Sequence, residues 1–125
     1  MINEEKILKD LDMLIQRHFL VERSAAFYAK LLNIPAGLLN NITEENLGKR
    51  VPALARQYLL KEAKILLSCT ENNMRQITFQ LNFAYPACFT HFFRRETGLT
   101  PTMFRKLHAK LDGVTLDGGN LKVNL

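Results

Sequence analysis

The 125-residue sequence holds no tryptophan, two cysteines, four prolines and six glycines, and each scarcity excludes a class of protein. Cys69 and Cys88 are too few for a disulfide framework and too isolated for the paired thiols of a zinc site, so they read as ordinary intracellular thiols. No stretch approaches the roughly 18 to 20 uninterrupted apolar residues of a bilayer span, and Met1 to Asp12 is charged throughout, unlike a signal peptide. A soluble, cytoplasmic chain with no membrane partner is expected. Gly113, Gly118 and Gly119 have neither a strand before them nor a helix after them, which leaves no phosphate-binding loop. His18, His91 and His108 have no second histidine at i+3 or i+4 and no acidic pair beside them. Neither catalysis, nor a metal, nor a cofactor is expected.

Hydrophobic residues make up 47% of the chain and charged residues 23%. That is a globular composition, and a chain of this length buries roughly two-thirds of its unfolded surface without covalent staples. Eight phenylalanines carry most of the large core volume. The net charge of +5 is unevenly placed. Residues 1–33 hold five charges of each sign, 34–48 only Glu44 and Glu45, 49–72 five basic against two acidic, and 73–110 six basic against Glu96 alone. A polyanion would be held by the second half.

Apolar residues recur at helical spacing and nowhere alternate long enough for a strand, so an all-α fold of about seven helices is expected. The first spans about Glu4 to Phe19, with Asn3 as N-cap and Ile7, Leu8, Leu11, Leu14 and Ile15 on one face. Ser24 caps a short second helix carrying Phe27, Tyr28, Leu31 and Leu32. Pro35 suits the first position of a third, ended by Gly48, and Pro52 opens a long fourth through about Ser68. Asn73 and Gln76 form a capping box for a fifth with Met74, Ile77 and Leu81 inward, and Asn82, tolerant of positive φ, makes the turn. Pro86 starts the sixth, where Phe89, Phe92 and Phe93 form a buried stripe and Gly98 the stop. Thr100 and Pro101 start the seventh, with Phe104 and Leu107. From Asp112 the helical pattern ceases, and a loose tail or docking strand is expected.

A short helix, a turn and a second helix thus occur twice, separated by a helix of about 17 residues, or roughly 25 Å at 1.5 Å per residue. The second helix of such a pair can enter the major groove while the first braces the backbone, and two of them about 34 Å apart would meet one face of a duplex. Helical hairpins are common, so repetition carries more here than spacing does. The run NMRQITFQLNFAYPACFTHFFRRETGLTPTMFRK, from Asn73 to Lys106, resembles the second helix-turn-helix and signature stretch of AraC/XylS-type transcription regulators. The shared order is I, L-x-F, P-x-x-F, FF with two basic residues, TG-x-TP and FR. Upstream, FYAKLLNIPAGLL, LGKR and LLKEAKILL resemble the first helix-turn-helix and linker helix of that family, in one register from about Ser24 to Lys106. The resemblance implies a C-terminal DNA-binding domain with two helix-turn-helix subdomains joined by a long linker helix. Its parts would be a linker-like helix at 1–20, a first lobe at 21–50, the linker helix at 51–69, a second lobe at 70–111 and a tail at 112–125.

It further implies a transcription regulator that binds double-stranded DNA sequence-specifically, with the second lobe as main anchor. Carried over position by position, Pro86, Ala87, Thr90 and His91 fall on base edges and Arg94 near the backbone. Arg95 lies beside it, and Arg75 opens the fifth helix within reach of the backbone. In the first lobe Gly37, Asn40 and Asn41 fall outward. Outside that register, His91 and the Arg94–Arg95 pair would read as solvated side chains, and the phenyl stripe reads as core in either case. The sequence departs from the family at Asn41, often Arg, at Glu44, often Lys, at Tyr85, where an acidic or Ser cap is usual, and at Asn82, where a turn glycine is usual. Asparagine pairs with adenine where arginine pairs with guanine, so Asn41 is expected to read a different base, and Glu44 cannot hold a phosphate. Many members carry a sensor domain ahead of this module. None lies in this chain, which reads as a small regulator or, preferably, as the C-terminal piece of a longer one. The competing reading is a protein-interaction module on the same fold, whose acidic first lobe has lost DNA affinity and whose target is RNA polymerase or a dimer partner.

Overall fold

Each helix begins where the chain supplies a capping acceptor or a proline, and the turns fall where it supplies a residue that accepts positive φ. The computed structural model describes residues 2–114, with side chains as far as His108. Its helices are α1 (Glu4–His18), α2 (Ala25–Leu32), α3 (Ala36–Leu47), α4 (Val51–Cys69), α5 (Met74–Gln80), α6 (Pro86–Thr97) and α7 (Pro101–Val114). The fold is all-α, and no strand occurs among the described residues. Asn3 accepts from Lys6 N at 3.1 Å and Ser24 from Phe27 N at 3.2 Å. The capping box of α5 closes in both directions between Asn73 and Gln76, at 2.8 Å each. Gly48 and Gly98 end α3 and α6 at φ 73° and 81°, where a Cβ would strain the backbone. Asn33 and Asn82 take the same left-handed conformation, at 62° and 66°. Asn82 is the expected turn residue, and Asn33 is its unforeseen counterpart in the first helix pair.

Three expectations change. Pro35 is the N-cap of α3, extended at ψ 144°, rather than its first helical residue. Leu31 and Leu107, counted with the apolar faces of α2 and α7, are exposed. Finally, α7 continues to Val114, past Asp112 where a tail was expected; residues 115–125, the rest of that segment, lie outside the described residues.

The chain folds as two units, the first ending at Leu59 and the second beginning at Leu60, so α4 contributes to both. In the first, Leu11 and Ile15 of α1, Tyr28 and Ala29 of α2, Leu39 of α3 and Val51 and Ala55 of α4 are buried together. Tyr28 is wholly buried and donates to the Glu22 carbonyl at 2.6 Å. Tyr58 donates to the Asp12 carboxylate, which Gln16 also reaches at 2.8 Å. Both phenols are held protonated. Burial, with the Glu22 charge behind it, pushes Tyr28 up to about 12, and the bond to Asp12 raises Tyr58.

The second unit has a phenyl core. Phe83 lies against Phe89 and Phe92 with ring centres 5.6 and 5.5 Å apart, Phe89 against Phe93 at 5.9 Å, and Phe93 against Phe104 at 5.3 Å. Such tilted and edge-on pairs contribute roughly 0.5–1.5 kcal/mol each beyond the area they bury. Ala63, Leu67, Ile77 and Leu81 are buried in the same unit. Arg105 reaches back to the end of α4, donating Nε–H to the Leu67 carbonyl at 2.9 Å and Nη2–H to those of Leu66 and Thr70 at 3.2 Å each. It adds donors at a helix C-terminus, where backbone partners run out and the Thr70 hydroxyl otherwise reaches only Leu66. The FR pair of the signature is one core ring followed by one helix cap.

Tyr28→Phe removes a buried hydrogen bond and costs about 1 kcal/mol at neutral pH. Because the folded chain keeps a proton that the unfolded chain releases above the ordinary tyrosine pKa, wild-type stability declines between pH 10 and about 12. The substitution lessens that decline, as urea titrations on either side of the window would show; an identical decline in the variant would place its source elsewhere. Arg105→Met keeps the aliphatic stem but removes the guanidinium bonds to the Leu67 and Thr70 carbonyls and one of the two to Leu66, which the Thr70 hydroxyl also reaches, and lowers stability by about 1.5–3 kcal/mol. Stability equal to wild type in thermal unfolding would rule out that capping role.

Candidate nucleic-acid interface

At about 100° per residue, the buried Phe89, Phe92 and Phe93 take one side of α6 and leave Ala87, Thr90, His91 and Arg94 on the other, at i, i+3, i+4 and i+7. All four are exposed, as are Pro86 and Arg95 at the flanks. Pro86 is the first helical residue, and the extended Tyr85 ahead of it makes no side-chain cap bond. Arg94 forms no ion pair among the described residues, whereas Arg95 Nε lies 3.8 Å from the Glu96 carboxylate. Both arginines occupy the last turn, where the helix dipole favours a cation. Arg75 is exposed in the first turn of α5. There the dipole disfavours a positive charge, so helix stability does not account for it.

α3 repeats this plan at an offset of 50 residues. Leu39, Ile42 and Thr43 are buried where α6 buries Phe89, Phe92 and Phe93, and Gly37, Asn40, Asn41 and Glu44 form the opposite stripe. Asn41 and Glu44 are exposed, and Gly37 has open space where a Cβ would stand. Asn40 is partly engaged within the fold. Its Oδ1 accepts from Val51 N at 3.0 Å, so the side chain caps the start of α4. An asparagine reads adenine with its oxygen and nitrogen together. One lone pair of that oxygen and both Nδ2 hydrogens remain, so Asn40 has a structural bond in addition to the outward position from which base reading is expected.

Glu44 stands at the position equivalent to Arg94, and its carboxylate lies 3.9 Å from Arg50 Nε, with both side chains more than half exposed. That is a weak surface pair. Beside it a notch is lined by Asn40, Arg50, Pro52, Ala53 and Arg56. Arg56 belongs to no sequence motif, and only the fold brings it to the same recess as Asn40.

The histidines are dispersed. His18 meets Phe27 edge-on, His108 lies over Phe104 with ring centres 4.0 Å apart, and His91 is exposed on α6. Among the described residues no three His, Cys, Asp or Glu gather as metal ligands, and no helix is long and apolar enough to cross a membrane.

A family profile described as a helix-turn-helix domain, of the AraC type, matches residues 28–107. No curated protein matches the sequence significantly. Among solved structures, the chain is similar to the C-terminal domain of AraT, a response regulator from Geobacillus stearothermophilus, at 21% identity and a TM-score of 0.77, covering 91% of this chain and 93% of that one. A transcriptional regulator with an AraC-type DNA-binding domain from Chromobacterium violaceum gives 20% identity and a TM-score of 0.76, over 85% and 95% of the two chains. The C-terminal domain of the two-component response regulator YesN from Fusobacterium nucleatum gives 21% and 0.71, over 78% and 95%. At these identities the likeness establishes the fold, and the profile, which spans both helix pairs, establishes the kinship: the chain belongs to the AraC-type family of helix-turn-helix DNA-binding domains of transcription regulators.

Proposed function

We propose that the chain binds double-stranded DNA sequence-specifically, with α6 as the principal recognition helix and the second unit as the electrostatic anchor. The observation that carries this reading is the exposed stripe of Ala87, Thr90, His91 and Arg94 opposite a phenyl core. Thr90 and His91 offer hydrogen-bonding groups to base edges, and Ala87 offers a methyl group suited to thymine. Arg94, Arg95 and Arg75 supply phosphate contacts, and Pro86 sets the start of the helix at the groove. In the first unit Asn40 and Asn41 are the base readers: the Asn41 carboxamide forms no hydrogen bond among the described residues, and Asn40 keeps its Nδ2 hydrogens and one lone pair beside the bond from Val51 N. The surplus of six basic residues over one acidic between 73 and 110 supports the assignment of the anchor. Members of the family act by binding DNA and not by catalysis.

With Arg75, Arg94, Arg95, Lys49 and Arg50 each near a phosphate, log affinity falls with log salt at a slope of roughly 3 to 5. A flat dependence in a fluorescence-anisotropy titration would overturn DNA binding. Arg94→Ala weakens all duplexes alike, while His91→Ala or Thr90→Ala relaxes preference at one or two base pairs by about 1–3 kcal/mol. If Arg94→Ala instead alters base preference, the assigned register of α6 is wrong. Glu44→Lys raises affinity for any duplex and steepens the salt slope by about one, and Glu44→Gln, which removes repulsion without adding a cation, does so less. Duplex affinity unchanged by either substitution would place Glu44 away from the backbone.

A further inference from the structure

We propose that the apolar groove between α1 and α2 is where a second copy of this chain docks, forming a two-fold symmetric pair in which the two α1 helices run antiparallel and Asp10 of each copy meets Arg17 of the other. The inference is independent of the DNA-binding reading, since none of the residues assigned to the duplex lines this groove.

The case begins with apolar side chains that the fold leaves uncovered. Asp10, Met13, Leu14 and Arg17 of α1 and Leu31 and Leu32 of α2 line one groove within the first unit. Leu14 and Leu32 pack against the core of that unit, but Met13 is 56% and Leu31 50% exposed. Single apolar residues scattered over a surface are ordinary. Here two large exposed ones, from different helices, share a recess with two more that are half-buried, and a continuous patch of that kind marks an interaction surface.

Charge identifies the occupant. On α1 the lining residues stand at i, i+3, i+4 and i+7, which is one stripe of the helix, with an acid at its first position, a base at its last and two apolar residues between. Asp10 and Arg17 are two turns apart, about 10 Å along the axis, so they do not pair with one another. Arg17 is exposed and forms no ion pair among the described residues. Asp10 accepts from Lys6 Nζ through Oδ2 at 3.1 Å, which leaves Oδ1 for a second cation. A second copy turned by 180° about an axis that passes between Met13 and Leu14 presents the same stripe in reverse order. Met13 then faces Leu14 of the other copy, and Asp10 faces Arg17, at both ends at once. A parallel arrangement would instead set like charge against like. The stripe is its own complement, and Leu31 and Leu32 widen the apolar contact beside it. Six lining residues a side fall short of the roughly 20 to 30 of a standard interface, so the pair is weak, reversible and dependent on concentration.

The test is sedimentation equilibrium of the whole chain from low micromolar to near-millimolar concentration. The weight-average mass should climb from the 14.4 kDa of one chain toward twice that. Leu31→Asp, at a position exposed in the single copy, should hold it at the single-chain mass. Asp10→Arg and Arg17→Asp each place like charges across the seam, and each alone should dimerise at least about tenfold more weakly than wild type. Mixed in equal amounts these two variants should pair again, because one then carries cations at both positions and the other carboxylates. That rescue separates contact between copies from damage to the fold, which circular dichroism checks for each variant. A wild-type chain that keeps the single-chain mass throughout overturns the pairing and leaves the groove to a different protein. A dimer unaffected by Leu31→Asp, or a mixture as weak as its components, overturns it too, by placing the contact between copies on another surface.

Discussion

Burial of three phenyl rings on one side of α6 determines which side chains the other side presents. Phe89, Phe92 and Phe93 are held by Phe83 and Phe104, and rolling the helix by even one residue would bring a ring into water and a polar group into the core. The loss would amount to roughly 1.5–3 kcal/mol for each aromatic exposed. The exposed quartet from Ala87 to Arg94 is therefore rigid in orientation without being packed against anything itself. A recognition surface needs that combination, since its side chains must stay free for a partner while their direction is set beforehand.

The two units use one helical plan for unequal electrostatics. Thr43 stands where Phe93 does and Glu44 where Arg94 does, so the first unit has both a less aromatic core and a carboxylate at the end of its outward stripe. Its cations lie instead past the α3 C-cap, at Lys49 and Arg50, and within α4 at Arg56. A charge so displaced still contributes to a field that attracts a polyanion, because screening at physiological salt extends over about 8 Å. What changes is the partner atom it can reach.

The features readable from sequence were those that depend on neighbours within four residues: the capping box of Asn73 and Gln76, the left-handed Asn82, the glycine stops and the phenyl stripe. Helix ends are local events, and a stripe needs only the helical period. What escaped was set at a distance. Asn40 caps α4 from 11 positions upstream, Tyr58 meets Asp12 across 46, and Arg105 reaches the Leu66 carbonyl across 39. None of these pairings has a sequence period, so each side chain looked free for another role. Asn40 shows the consequence: its place on the outward face of α3 was legible, and the engagement of its oxygen was not. Leu31 and Leu107 failed for a related reason, since an apolar residue at helical spacing is buried only when some other element lies over it.

The bonds by which Arg105 closes the end of α4 join residues 35 to 39 positions apart, whereas the first unit needs nothing beyond Leu59. During synthesis the two units consequently mature at different times. The first has its full complement of partners once α4 is half made. The last turn of α4, where the Ser68 and Thr70 hydroxyls reach the Lys64 and Leu66 carbonyls, must then do without the Arg105 bonds until some thirty-five further residues have left the ribosome, which at about 5–20 residues per second is a wait of seconds. The linker helix thus has its start bonded to Asn40 and its end short of the Arg105 donors throughout that interval, and the second unit completes its boundary only when its final helix arrives.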